Sequence, residues 1–324
     1  KKRINSVLLY SAVIAAGLVV LVWSADRFVD GASAIADRAG LSPMLIGLTI
    51  VSVGTSAPEI LISVMSALAD SGELAVGNAL GSNIANIGLV LGATLVITDI
   101  GLRRSTVFTD LPLLVIVVLI TWGLLSDYQL SLGDSLILLT LLVLFFLRIF
   151  RQARISDSNG QTQDIPAMGM ARAWASFLGG LLLLIGSSRV LVWSASNIAL
   201  SLGVSELVIG LTIVAVGTSL PELAASIASA LKGQADMAIG AIVGSNMFNI
   251  LLVLAIPGLW SDLSLPSAVV GRDMVAVFLT SFVLALAAAW RWNAKQQVSN
   301  LSKSSGAVLL ILYIAYYSVL FTPS

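Results

Sequence analysis

Residues 47–59 read GLTIVSVGTSAPE and residues 210–222 read GLTIVAVGTSLPE, so Glu59 and Glu222 stand 163 positions apart in nearly identical surroundings. The same offset carries Gly81-Ser82-Asn83 and Asn86 onto Gly244-Ser245-Asn246 and Asn249. It also carries Gly40 onto Gly203 and Asp110 onto Asp273, without a gap. Self-similarity at fixed spacing over this length means two copies of one structural unit. The first copy covers residues 1–153 and the second 171–324. Between them the polar stretch RQARISDSNGQTQDIPAMGM (151–170) reads as a solvated linker, assigned to residues 154–170.

Outside the motifs the chain is dominated by apolar runs. Of its 324 residues 58% are apolar and only 10% charged, with mean hydropathy +1.01, whereas soluble domains carry about 25% charged residues. Runs of roughly 20 apolar residues are long enough to cross a hydrocarbon core. The spacing predicts helices near 6–35, 43–69, 73–98, 106–125 and 131–150, then near 171–200, 206–231, 235–260, 268–290 and 305–322. The expected fold is therefore an all-α integral membrane protein of ten transmembrane helices. Five helices per copy is an odd number, so the second copy must enter the membrane upside down relative to the first, an inverted-topology repeat. Lys1, Lys2 and Arg3 before an apolar run resemble the start of a secretory signal. Residues from 24 onward belong to the repeat, however, which assigns this run to the first helix.

Charge narrows the function classes. Lys plus Arg and Asp plus Glu number 17 each, which points to no nucleic-acid partner. The sequence has no Cys and no His. That removes thiolate and imidazole metal sites, Cys or His nucleophiles and imidazole proton relays, so no enzyme is indicated and any metal must be held by oxygen. Arg38, Arg103, Arg104, Arg148, Arg151, Arg154, Arg172, Lys232, Arg291, Lys295 and Lys303 fall on one set of loops and helix ends; Lys1, Lys2, Arg3 and Arg272 fall on the other. The richer side is expected to be cytoplasmic. Both termini then lie outside a cell membrane, although Lys1 to Arg3 count against this orientation.

An ionised carboxylate deep in a bilayer costs several kcal/mol, so an intramembrane Glu marks a functional site by default. Glu59 and Glu222 lie about 16 residues into their helices, roughly 24 Å along the axis. The only basic residues placed to reach inward are Arg27 and Arg189, and a bound cation is the simpler counter-charge. Pro58 and Pro221 break helices 2 and 7, because each lacks an N–H and clashes with the carbonyl four residues back. The carbonyls around Gly54 and Gly217 are thereby expected to be freed to coordinate a cation. Thr55, Ser56, Thr218 and Ser219 add hydroxyl oxygens beside the breaks. On the following helices Ser82 and Asn86, and Ser245 and Asn249, are spaced four apart and share a face. Hard oxygen ligands of this kind suit Na⁺ and Ca²⁺.

The remaining polar positions carry plainer expectations. Asn83 and Asn246 lie off the site face and read as structural, tying the broken helix in place. Gly77, Gly81, Gly240 and Gly244 suit close helix packing. Asp110 and Asp273 read as helix caps, and Asp70, Glu73, Asp236 and Lys232 as solvated helix ends. Trp23, Trp122, Trp290 and Trp292 read as interfacial anchors.

GTSxPE followed by GSNxxN, present twice in order, resembles the calcium/cation antiporter superfamily over nearly the whole chain, and most closely its bacterial and archaeal sodium/calcium exchangers. The resemblance implies ten helices, with Ca²⁺ bound by carboxylates at Glu59 and Glu222 and by backbone carbonyls at Thr55 and Thr218. It also implies flanking Na⁺ sites at Ser52, Ser56, Ser82, Ala215, Ser219 and Ser245, with Asn86 and Asn249 at a central position. Asn249 departs from the archaeal pattern, which has Asp there, and Glu222 departs from animal exchangers, which carry Asp. The expected function is exchange of Na⁺ for Ca²⁺ by alternating access, with helices 1 and 6 moving against the rest. The ions are substrates, and no cofactor is expected. The bilayer is the other expected partner, and one molecule suffices to complete the site. Exchange coupled to protons, K⁺-dependent exchange and Mg²⁺ exchange are alternatives within the class; an ion channel or a non-transporting membrane scaffold is the alternative outside it.

Overall fold

A computed structural model describes residues 2–155, 168–203, 213 and 215–320, with only the backbone described for residues 2–6, 152–155 and 215. The expected linker falls mostly outside the described residues, as do the first part of the predicted helix 206–231 and residues 321–324. Helices make up nearly everything else: α1 (Lys2–Ala39), α2 (Pro43–Thr55), α3 (Ala57–Leu68), α4 (Gly72–Ile97), α5 (Thr106–Asp127), α6 (Leu132–Ile155), α7 (Met170–Ser201), α8 (Ala215–Thr218), α9 (Leu220–Leu231), α10 (Ala235–Trp260), α11 (Val269–Trp290) and α12 (Lys303–Leu320). Among the described residues eight of these are long and apolar enough to cross a membrane. The α2–α3 pair, bent by 46° at the break between them, passes the same test only when its two helices are taken together, which brings the number to eight or nine.

The bend follows from the sequence at the break. Pro58 and Pro221 each sit at the second position of a new helix, where a missing N–H costs nothing. Ser56 (φ −80°, ψ 3°) and Ser219 (φ −88°, ψ 2°) take up the turn in the same sparsely populated backbone region. π-helical turns begin at Asn86 and Asn249, and again at Thr106 and Val269. Each pair matches across the repeat offset, so the irregularities are part of the repeated unit.

The helices α1 and α7 pack closely along their lengths. A Cβ on Gly180 would lie 2.6 Å from the backbone N of Phe28, and one on Gly17 would lie 2.9 Å from the Leu191 side chain. These two contacts are related by the repeat offset. Gly31 likewise closes on the Ala173 carbonyl, with 2.7 Å for its Cβ position. A second close approach seats α2 on α10: Cβ positions at Gly47, Gly240 and Gly244 fall 2.5–2.6 Å from Met237, Met44 and Ser52. By contrast, Gly77 and Gly81 meet nothing within 4 Å among the described residues.

Five short strands were not expected from the apolar periodicity: β1 (Ile100–Arg103), β2 (Gln129–Leu130), β3 (Leu263–Ser264), β4 (Trp292–Asn293) and β5 (Val298–Leu301). β1 and β4 pair antiparallel with the two edges of β5, and β2 pairs with β3. The two sheets lie at opposite ends of α5, because β1 precedes that helix and β2 follows it. Trp292 in β4 packs edge-on against Phe108, Trp122 packs on Phe278, and Trp290 is 86% exposed.

Several charged residues depart from expectation. Asp110 and Asp273 make no capping hydrogen bond. Instead Asp110 pairs with Arg148 at 2.7 Å, while Asp273 pairs with Arg272 at 2.7 Å and accepts from Tyr316 at 3.0 Å. By Asp110 and Asp273 the helix has already run for a turn, so the carboxylates have no free N–H groups to cap. Asp236 is not solvated either; it is buried and pairs with Arg103 at 2.6 Å. Lys232 bridges Asp26 (2.6 Å) and Asp30 (2.5 Å) on α1, and Gln234 accepts from Ser33 one turn further along. Burial pulls the Lys232 pKa down, but the two carboxylates outweigh it and hold the ammonium above its ordinary value. Its stabilisation is thus complete at neutral pH and is lost only as pH rises through that elevated pKa. Lys232→Met, which leaves two like charges one turn apart, is expected to destabilise the detergent-solubilised protein by about 1 kcal/mol. A thermal melt at pH 7 against the parent chain measures this, and an unchanged midpoint would show that the bridge is energetically idle.

Candidate ion-binding site

The two broken helices bring their carboxylates together. Glu59 is the third residue of α3 and Glu222 the third of α9. Both lie in the first turn, where the helix dipole favours negative charge. They are 1% and 4% exposed, and close enough that Glu59 acts electrostatically on Glu222. Neither has a Lys or Arg partner among the described residues; Glu59 bonds the Ser82 hydroxyl instead.

Around the carboxylates runs a chain of neutral oxygens contributed by both copies. Ser56 Oγ and Ser245 Oγ are 2.7 Å apart, and Asn86 Nδ2 donates to Ser245 Oγ at 3.0 Å. Seven buried polar atoms here have no protein partner: Glu59 Oε2, Asn86 Oδ1, Ser219 Oγ, both Glu222 oxygens, and Asn249 Oδ1 and Nδ2. Leaving such atoms unmet costs about 1–3 kcal/mol each, and the oxygens among them are of the kind that water or a cation would satisfy. Both carboxylates, two amide oxygens and several hydroxyls are donors of the hard kind that suit Na⁺ and Ca²⁺. No group of three or more His, Cys, Asp or Glu side chains gathers among the described residues.

The other expected site residues stand around the breaks, with the Thr55 hydroxyl also beside Glu222. The Thr55 hydroxyl donates within its own helix, to Val51 O (3.2 Å) and Ser52 O (3.4 Å), and Ser52 donates to Thr49 O at 3.0 Å. The Ala215 backbone opens α8. Thr218 is half-buried and lines a cavity of ≈ 230 Å³ with Pro58, Ser188, Arg189, Gly217 and Pro221. The Gly217 carbonyl is not free: Ser188 on α7 donates to it at 2.7 Å. Sequence reasoning missed Ser188 because its repeat counterpart is Ala25, which has no hydroxyl. Asn83 and Asn246 each donate to the carbonyl four residues back in their own helix, at 2.8 and 2.7 Å, and do not tie down the broken helix.

Residues 9–151 and 172–322 match the family described as sodium/calcium exchanger protein. The chain belongs to that family. Its members are transporters, with Na⁺ and Ca²⁺ as substrates, and this chain is a multi-pass membrane antiporter of that kind. It is 40% identical to the putative antiporter CaxA of Alkalimonas amylolytica over 94% of this chain and 97% of that one. To the sodium/calcium exchanger MaX1 of Methanosarcina acetivorans it is 28% identical, over 94% and 96%. Among solved structures, the sodium-calcium exchanger NCX_Mj superimposes with a TM-score of 0.82 at 30% identity, covering 97% of this chain and 99% of that chain.

Proposed function

We propose that this exchanger moves Ca²⁺ against Na⁺ by alternating access around the Glu59–Glu222 site. The observation that carries the reading is the pair of buried carboxylates, unpaired with any basic residue and ringed by unpartnered polar atoms. Glu59 and Glu222 hold the ion, with the backbone carbonyls of Thr55 and Thr218 beside them. Ser56, Ser82, Ser219, Ser245, Asn86 and Asn249 supply neutral oxygen, and Ser52 and Ala215 flank the breaks. One carboxylate pair is neutralised either by Ca²⁺ or by Na⁺, and that competition couples the two fluxes.

The proposed architecture is ten spans in two inverted five-helix repeats, residues 1–153 and 171–324, joined by a cytoplasmic linker at 154–170. The tenth span is the counterpart of the bent α2–α3 pair, completed by α8 and α9. The matching conformations of Ser56 and Ser219 support this, as do the matching proline positions. Strand pairing supports inversion. β1 and β3 are repeat-equivalent, yet β1 shares a sheet with β4, and β3 pairs with β2, at opposite ends of α5. The pairing also puts Arg103 at the same end as Arg291 and Lys295, which fits a basic cytoplasmic face in a cell membrane with both termini outside.

In Na⁺-loaded proteoliposomes, radiocalcium uptake is expected to require the Na⁺ gradient. Uptake driven only by a pH gradient would transfer the assignment to proton-coupled exchange, a reading favoured by the two adjacent carboxylates, either of which can carry a proton in place of Na⁺. Absence of calcium flux under both gradients would refute calcium exchange.

A further inference from the structure

Residues 274–324 contain no Asp and no Glu, and their only charges are Arg291, Lys295 and Lys303. All three fall between the end of α11 and the first residue of α12. Pairing of β1 with β5 brings Arg103 and Arg104 to the same end. Among the described residues only Arg103 of these five is neutralised, by Asp236.

Where α11 ends and α12 begins, the two helices enclose a cavity of ≈ 320 Å³. Leu286, Ala287 and Val308 form its apolar length, and Arg291, Ser304 and Ser305 line it at the loop end. Leu286 and Val308 are each about half exposed, so the cavity opens sideways to the hydrocarbon. Trp290 stands beside it, almost wholly exposed, where an interfacial anchor belongs.

The loop end is built for a negative oxygen. Arg291 Nη2 donates to Ser304 Oγ at 2.7 Å, which draws the guanidinium to the first turn of α12. That bond uses one of the five N–H groups a guanidinium carries. The backbone N–H groups of the same turn have no partner within the helix, and a helix start of this kind attracts anions. Ser305 is an independent sign of a ligand. It is 7% exposed, it lines the cavity, and its hydroxyl has no hydrogen-bond partner among the described residues. A buried hydroxyl left unmet is costly, and an oxygen-rich group entering the cavity would meet it.

We propose that this cavity holds one membrane phospholipid of net negative charge. An acyl chain lies along Leu286, Ala287 and Val308, and the phosphate sits between Arg291, Ser305 and the start of α12. Basic pockets between membrane helices recognise anionic headgroups in this way. The net charge follows from Lys295 and Lys303. No acid in their segment balances them, so a headgroup ending in an ammonium meets like charge, whereas a glycerol headgroup does not. The assignment goes beyond exchange and holds whichever ions are carried.

The test is native mass spectrometry of the purified full chain in an uncharged detergent, supplied with phosphatidylglycerol or with phosphatidylcholine at equal concentration. One phosphatidylglycerol retained per chain, in clear preference to phosphatidylcholine, is the expected result. Arg291→Gln should lower that retention by about tenfold, the worth of one charge-assisted hydrogen bond. Arg104→Gln removes the same charge from the same end but outside the cavity, and should retain the lipid as the parent does. Val308→Phe fills the cavity and should release the lipid with Arg291 intact; Leu286→Phe fills it from the facing helix if the first variant does not fold. Equal retention of the two lipids, equal losses in Arg291→Gln and Arg104→Gln, or full retention in a filled variant would each overturn the proposal. So would complete displacement of the lipid by inorganic phosphate, which would leave an anion site without a lipid. None of these failures touches the exchange reading, which calcium flux decides separately.

Discussion

Glu222→Gln is expected to lower calcium flux by at least about a thousandfold while making the ion-free protein no less stable. The first half follows from Coulomb's law: a unit charge at about 4 Å and an effective dielectric near 20 is worth roughly 4 kcal/mol, and twice that for a divalent ion. The second half follows from the surroundings. In the absence of an ion Glu222 is a buried carboxylate that is repelled by Glu59 and has the Thr55 hydroxyl as its side-chain neighbour, so glutamine removes a repulsion while keeping an oxygen for that hydroxyl. Glu59→Gln is expected to abolish flux equally, but it weakens the bond from Ser82 and so loses some of that relief. The measurements are initial radiocalcium flux and thermal melts with calcium and with chelator. The parent chain should gain stability on adding calcium, and both variants should not. Flux within a few-fold of the parent in either variant would remove the carboxylate pair from the mechanism.

Gly180→Val should disable the protein by a different route. The new Cβ would be driven against the Phe28 backbone, which no change of rotamer can relieve. Overpacking of this kind costs about 1–3 kcal/mol, and it would wedge α1 away from α7 where the two helices pack backbone to backbone. The neighbouring Gly179 supplies the control, because a Cβ there meets nothing within 4 Å. Gly179→Val, the same chemical change one position along the same helix, should leave both the melt and the flux near the parent values. If the two variants behave alike, helix propensity and not interhelical contact governs the position.

Much of this architecture was legible in the sequence because the repeat announces it twice. Two copies of GTSxPE placed the carboxylates and the breaks, and the four-residue spacing of Ser82 with Asn86, and of Ser245 with Asn249, put each pair on one face. What escaped were interactions joining residues that neither copy predicts from the other. Ser188 reaches Gly217 from another helix, and its counterpart Ala25 cannot. Arg148 meets Asp110 across 38 positions, whereas Asp273 finds its partner in the adjacent Arg272. The strands of two to four residues are too short to leave a period, and only their pairing across loops reveals them. Thr55 reads as a site hydroxyl because it stands beside the break, and Ser52 only through the resemblance. In a helix, however, such hydroxyls readily turn back to the preceding carbonyls, as these do.

The hydroxyl contact between Ser56 and Ser245, extended to Asn86, bears on how freely the two copies can diverge. Each copy supplies part of a single hydrogen-bonded chain, so a half taken from another exchanger must bring the matching side chains with it. A graft that alters Ser245 strands Ser56 and Asn86 in a foreign half. A graft that keeps serine at 245 leaves that chain whole, so the contacts of one hydroxyl set which halves can be joined.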